Sequence, residues 1–281
     1  MSPQGSKQTN TSATYHAQTT KPIEIYIFID PLCPISWDLE PYLHKLYLEY
    51  GRFFTYRRIT CSYLNKGSYR KYEKRKLVDV RDSQMKHCQY NSKLWNQCSI
   101  LFPWVSIAIK AAELQGHRLA KKFIRRIQEY YFVHHIDVTN EHVIIQVAEE
   151  IGLDMDEFRK DLYSSTIKKA IERDLKIARD MDVDSTPSMV FFNQTNDSQG
   201  IKISGLYSYD IYVSILYELL GKKPIPSVKP DLEDVIAKNE FVTKKEVSII
   251  YDWTPKETKR NIKQLQLMRK VKQFTINHHI C

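Results

Sequence analysis

The chain has 281 residues, 42% of them hydrophobic, and a net charge of +9. That length and apolar content support a real buried core, in one large domain with an appendage or in two domains, and exclude a wholly disordered chain. No apolar run reaches the roughly 18 residues that a membrane-spanning helix needs.

Residues 1–20 are polar, rich in Ser, Thr and Gln, and aperiodic, which predicts a disordered tail. The tail has no apolar stretch of the kind a secretory signal carries, so a cytoplasmic protein is expected. The five cysteines, Cys33, Cys61, Cys88, Cys98 and Cys281, are odd in number and form no spaced framework, which fits a reducing compartment. His87-Cys88 with Cys98, and His278-His279 with Cys281, hold metal-ligating residue types. Neither has the paired C-x-x-C spacing of a structural zinc site, so no metal and no cofactor is expected.

The alternating run Ile23–Ile29 reads as a strand buried on at least one side. It leads into Asp30-Pro31-Leu32-Cys33-Pro34-Ile35-Ser36-Trp37. Residues 37–50 then place Leu39, Leu43, Leu46, Tyr47 and Tyr50 on one helical face, with Gly51 as the stop. Residues 53–60 read as a second strand, so the first 60 residues form β-α-β, expected as a parallel pair with a crossover helix.

A long helical region follows. Residues 99–134 read as two helices separated near Gln115-Gly116. Thr139 is read as the cap of the next helix, Asp154 to Ser164 as a short one, and Thr166 as the start of another. Strands return at 188–193 and 201–204 around a polar hairpin turn, 194–200. Residues 208–220 make an amphipathic helix ended by Gly221. The order β-α-β, helices, β-β-α is that of an α/β thioredoxin-like fold over 21–221, with a helical insertion at about 77–182.

Residues 222–230 hold three prolines and read as a linker. Beyond it, 231–281 read as a small helical module. Thr243 with Glu246, and Thr254 with Glu257, are successive capping boxes, the second with Pro255 at the first helical position. Residues 271–276 read as a strand, which makes the module winged-helix-like.

A strand running into Cys-Pro-x-x at a helix start has the shape of a thiol redox site. The helix dipole and free N–H groups there favour a thiolate, so a lowered pKa is expected for Cys33. Position 36, however, is serine. A hydroxyl cannot close a disulfide, so Ser36 removes the intramolecular resolving step. The pair Cys33 and Ser36 is therefore read as a remnant of a redox motif. Cys61 stands beyond the second strand as a conceivable resolving thiol. Pro187, after Thr186, sits where thioredoxin-like proteins carry a cis proline that pairs with extended peptides.

Basic residues concentrate in two places. Residues 56–76 hold eight Lys/Arg against one Glu, and residues 222–281 hold 13 against seven acids. Such surfaces suit nucleic acid or acidic proteins, or are simply solvated.

Across 23–221 the chain resembles the DsbA-like proteins, in the strand running into Cys-Pro-x-x and in the runs 108–132 and 151–162. More closely it resembles the SpxH (YjbH) family of ClpXP adapter proteins, in FIDPLCPISWDLEP (28–41), KAAELQG (110–116), GLYSYDIY (205–212) and FVTKKEVSIIYDW (241–253). The resemblance implies a non-catalytic adapter that binds the transcription regulator Spx and promotes its degradation by ClpXP in the absence of disulfide stress. Because thioredoxin-like proteins bind peptides there, docking is expected on the face around Pro34, Ile35, Trp37 and Thr186, although Trp37 reads equally as a core residue, and the basic face 57–76 and the carboxy-terminal module are equally open as docking surfaces. Some members of the family keep a full C-x-x-C and a His-rich amino-terminal segment. Here position 36 is serine and the tail offers only His16, which counts against dithiol or zinc-release sensing. The alternative is a monothiol oxidoreductase, or a glutathione-dependent isomerase or transferase, using Cys33. Nucleic acid is not expected as a partner of 231–281.

Overall fold

Alternation does set the first strand. In β1 (Ile23–Ile29), the side chains of Ile23, Ile25, Ile27 and Ile29 point into one apolar cluster, and Phe28 into another on the opposite face. The computed structural model describes residues 21–61, 103–195, 200–239 and 241–272. The expected tail 1–20, the insertion's start at 77–102, most of the basic run 56–76, the hairpin tip 196–199 and both His/Cys groups lie outside the described residues.

Helix α1 (Pro34–Tyr50) crosses to β2 (Phe54–Thr60), which pairs parallel to β1 from Ile23 opposite Phe54 to Ile29 opposite Thr60. The helix starts three residues earlier than its apolar pattern, because Pro34 at the first helical position has the φ a helix needs. Among the described residues five helices follow: α2 (Pro103–Leu114), α3 (His117–Phe132), α4 (Glu141–Glu150), α5 (Met155–Leu162) and α6 (Ser165–Asp180). Two caps differ from expectation. Asn140, not Thr139, caps α4, accepting from His142 N–H, because the Thr139 N–H and hydroxyl are both bound to Asp137. Ser164, not Thr166, caps α6 by accepting from Ile167 N–H.

Strand β3 (Ser188–Asn193) then runs antiparallel to β1, and β4 (Ile201–Ser204) antiparallel to β3, giving the sheet order β2-β1-β3-β4. Helix α7 (Tyr209–Leu220) ends at Gly221, whose φ of 66° is one that side-chain-bearing residues adopt at a cost. The larger core lies between one sheet face, α1, α7 and helices α2 to α6. The smaller core covers the other face, where Phe28, Ile59 and Val190 meet Ala178 and Val183.

Residues 222–230 adopt no regular structure, yet they are fastened along the end of α1. Ser227 N–H donates to Glu49 O at 2.7 Å, and Arg52 donates to Ile225 O and Ser227 Oγ. Helices α8 (Leu232–Asn239), α9 (Lys244–Tyr251) and α10 (Pro255–Leu267) follow, with α9 packed on α1. Both expected capping boxes are formed, Thr243 with Glu246 and Thr254 with Glu257. Val271 and Lys272 have no regular structure, and the rest of the expected strand 271–276 lies outside the described residues. Thr243→Ala removes a cap that accepts from Glu246 N–H at 3.1 Å. It is expected to cost about 1 kcal/mol, read as a lowered urea midpoint.

Candidate functional site around Cys33 and its covering helices

One end of the sheet gathers the residues singled out by sequence. The register brings together the carboxyl ends of β1 and β2, the start of β3 and the end of β4. Cys33 and Cys61 follow β1 and β2 there, and Cys61 N–H donates to Ile29 O at 2.8 Å. The Thr186–Pro187 peptide bond is cis, and Gly205 N–H donates to Pro187 O at 2.8 Å. That last bond sets Leu206 and Tyr207, both exposed, beside the proline.

Cys33 caps α1 in extended conformation, and Trp37 N–H bonds its carbonyl at 3.0 Å. Its thiol is not the activated one that its position predicts. Burial, and next the carboxylate of Asp30, push it up to about 11. The amides of Ser36 and Ile35 pull the other way and lose. The Ser36 hydroxyl has the weakest influence, and it is too poorly placed to count as a hydrogen bond by distance and angle. Asp30 is itself buried, with Leu32 N–H bonded to its Oδ1 at 3.0 Å. Cys61, also buried, is pushed up to about 12, by burial first and the Asp174 carboxylate second. Both sulfurs are thiols at neutral pH, poor nucleophiles and poor leaving groups.

The four expected docking residues are not equally available. Pro34 and Thr186 are buried, while Ile35 and Trp37 are half-buried. Trp37 stacks on Phe132 of α3, with centroids 5.2 Å apart, and the Arg125 guanidinium lies 4.8 Å from its ring. It belongs to a contact inside the molecule.

That contact is built around Glu246, which the sequence marks only as a capping-box residue. Its side chain is 5% exposed and paired with both Arg125 and His44, whose Nδ1 lies 3.2 Å from Oε1. Burial pushes its carboxyl up, but Arg125 and His44 outweigh burial and hold it below the usual range. Around this centre lie Lys245 with Asp38 at 2.7 Å, Lys229 with Glu49 at 2.9 Å, and Lys45 with Asp252. The first and last tie α9 and its end to the helix that Cys33 starts, and the Lys229 pair ties the segment leading into those helices to the same helix. Behind Glu246 is a cavity of about 70 Å³, with Ile25, Leu43 and Phe54 among its walls and Glu40, Lys121 and Arg125 among its polar lining. Among the described residues no cluster of His, Cys, Asp or Glu is arranged to hold a metal ion, and no helix is long and apolar enough to cross a membrane.

A family model described as thioredoxin matches residues 26–214. Two relatives bear the name ClpXP adapter protein SpxH: one from Bacillus licheniformis, 40% identical over 266 residues, and one from Bacillus subtilis, 39% identical over 268. Each alignment covers 94% of this chain and 89% of the relative. Another of that name, from Halalkalibacterium halodurans, is 39% identical over 89% of this chain and 85% of the relative. Among solved structures, that of a probable DsbA oxidoreductase from Streptomyces coelicolor matches with a TM-score of 0.51 at 14% identity. It covers 75% of this chain and 94% of that chain.

Proposed function

The chain belongs to the SpxH family of ClpXP adapter proteins and has a thioredoxin-like, DsbA-like fold, and from that premise we propose that it delivers Spx to ClpXP in the cytoplasm without catalysing a thiol reaction. The supporting observation is the reach of the likeness. The thioredoxin match ends at residue 214, whereas the adapter alignments take in 94% of the chain. They therefore extend well into the helices that Glu246 fastens over α1. The chemistry of Cys33 agrees: a buried thiol pushed up to about 11 suits a retained fold more than a working nucleophile, and counts against a monothiol oxidoreductase or a glutathione-dependent enzyme. For the docking face we favour Ile35 with Leu206, Tyr207 and Ile211, all exposed or half-exposed near the same end of the sheet.

A reconstituted assay tests this. Purified Spx, ClpXP and ATP are combined with the wild-type chain, Cys33→Ala or Ser36→Cys. Wild type is expected to speed Spx loss several-fold, and Cys33→Ala to match it. No acceleration by wild type would end the adapter reading. Acceleration lost in Cys33→Ala would return a chemical role to the thiol.

A further inference from the structure

We propose that the outer face of α10 is a docking surface for an acidic, amphipathic segment of a protein partner. Lys256, Arg260 and Lys263 follow one another at i, i+4 and i+7, with Lys259 beside them, and all four are exposed. Leu267, 75% exposed, extends the same row at i+11. At 100° per residue the five fall in one stripe about 100° wide and about 16 Å long. The opposite side of the helix carries buried Thr258 and half-buried Ile262 and Leu265, so packing fixes which face looks outward. Met268, 64% exposed, together with exposed Arg269 and Lys272, continues the mixture of cation and apolar surface past the helix end.

What separates this face from an ordinary solvated one is that no acid stands among its cations. Among the described residues no carboxylate comes within ion-pair distance of the four, and only Arg260 feels one, that of Glu257; elsewhere on the surface Lys176 pairs with Asp180 at 2.5 Å and Lys270 with Glu233 at 2.5 Å. The helix's one acid, Glu257, is turned back onto Thr254, bonded to its N–H and hydroxyl at 2.8 Å each. Helix α6 is the comparison. Its exposed Lys168, Lys169, Arg173 and Arg179 are interleaved with exposed Glu172 and Asp180.

Charge complementarity calls for an acidic ligand, and the geometry favours protein over nucleic acid. Besides Lys and Arg side chains, the free amides at a helix N-terminus are a favoured seat for a phosphate. Here the Glu246-like arrangement repeats: the Thr254 hydroxyl accepts from Glu257 N–H at 3.3 Å, and the Glu257 carboxyl, held below its ordinary range by Thr254, keeps a negative charge at that end. The stripe carries no aromatic ring on which a base would stack. Its exposed leucine and methionine match an apolar side of a protein segment, while the lysines and arginine match its glutamates and aspartates.

The test uses the full chain and two labelled probes followed by fluorescence anisotropy: a short amphipathic peptide with glutamates along one helical face and leucines at its end, and a mixed-sequence DNA duplex. The wild-type chain is expected to bind the peptide at low ionic strength and to weaken as salt rises. Reversing the stripe with Lys256→Glu, Lys259→Glu, Arg260→Glu and Lys263→Glu is expected to weaken binding about tenfold or more. Reversing Lys168, Lys169, Arg173 and Arg179 in α6, an equal change in net charge, is expected to leave it unchanged. Leu267→Ala alone, a mild surface change, is expected to weaken the peptide about threefold. Equal loss from both reversals would mean that only net charge matters and would overturn the proposal. So would peptide binding indifferent to the stripe, binding of the duplex in place of the peptide, or no binding at low salt. ClpXP is absent from this experiment, so its result is independent of the degradation assay.

Discussion

Glu246→Ala is expected to loosen the carboxy-terminal helices from α1 and to cost roughly 3–5 kcal/mol, the range for breaking a buried ion pair from one side. The alanine leaves Arg125 and His44 facing each other with no carboxylate between them, and neither has an easy path to water: their side chains are 20% and 17% exposed. The same change removes the acceptor at the far end of the Thr243 capping box, so the entry to α9 weakens as well. In thermal unfolding a 3 kcal/mol loss appears as a midpoint lower by roughly 6–12 °C. Hydrogen exchange should show the loss concentrated in α8 to α10, with the β1–β3 strands still protected. Glu246→Gln keeps the volume and part of the hydrogen bonding, so it is expected to lose less. Acid should mimic the substitution. The Glu246 carboxyl lies below its unfolded value of 4.5 in the folded protein, so its contribution is fully present above that pH and disappears as pH falls through the folded value. Glu246→Gln should flatten that part of the stability profile. An alanine variant as stable as wild type, with unchanged exchange in α9, would show that the ion cluster does not hold the helices in place.

The cluster also marks the limit of what the sequence makes legible. Local patterns carried far: the alternation of Ile23–Ile29 gave a strand with two distinct faces, and both capping boxes formed at the expected threonines. Local patterns failed where polar neighbours compete, as at Thr139, whose hydroxyl is drawn off by Asp137, leaving Asn140 to cap. They could not have found the second role of Glu246, because its partner Arg125 is 121 residues away in the chain. Trp37 is a similar case. Its helical position is readable, but its fate is decided by Phe132 and Arg125 from another helix. For the site, the helix start at Cys33 was legible. Of the two forces that overrule it, burial arises from tertiary structure, while Asp30 stands only three positions before Cys33 and its opposing influence was open to a sequence reading.

That contest over Cys33 makes the other large prediction. In the native protein at about pH 8, Cys33 is expected to react with iodoacetamide at least about 100-fold more slowly than an ordinary exposed cysteine. The thiolate is the attacking species, and raising the pKa from 9.0 to about 11 removes about two decades of it. Steric burial of the sulfur, 1% exposed, slows the reaction further. Unfolding in concentrated urea should restore an ordinary rate, since both causes are properties of the folded state. Asp30→Asn removes the second-ranked cause and leaves the first, so labelling should quicken without reaching the rate of an exposed thiol. Modification has to be mapped to Cys33 by mass spectrometry, because the chain holds four other cysteines. Rapid native labelling of Cys33 would mean that the helix N-terminus wins after all. The site would then hold a thiolate ready to attack a disulfide, and the monothiol enzyme would become the better reading of the fold. Slow labelling, with Spx degradation unaffected by Cys33→Ala, fits a thioredoxin surface whose shape is used for binding and whose sulfur is held out of reaction by burial first and by the Asp30 carboxylate second.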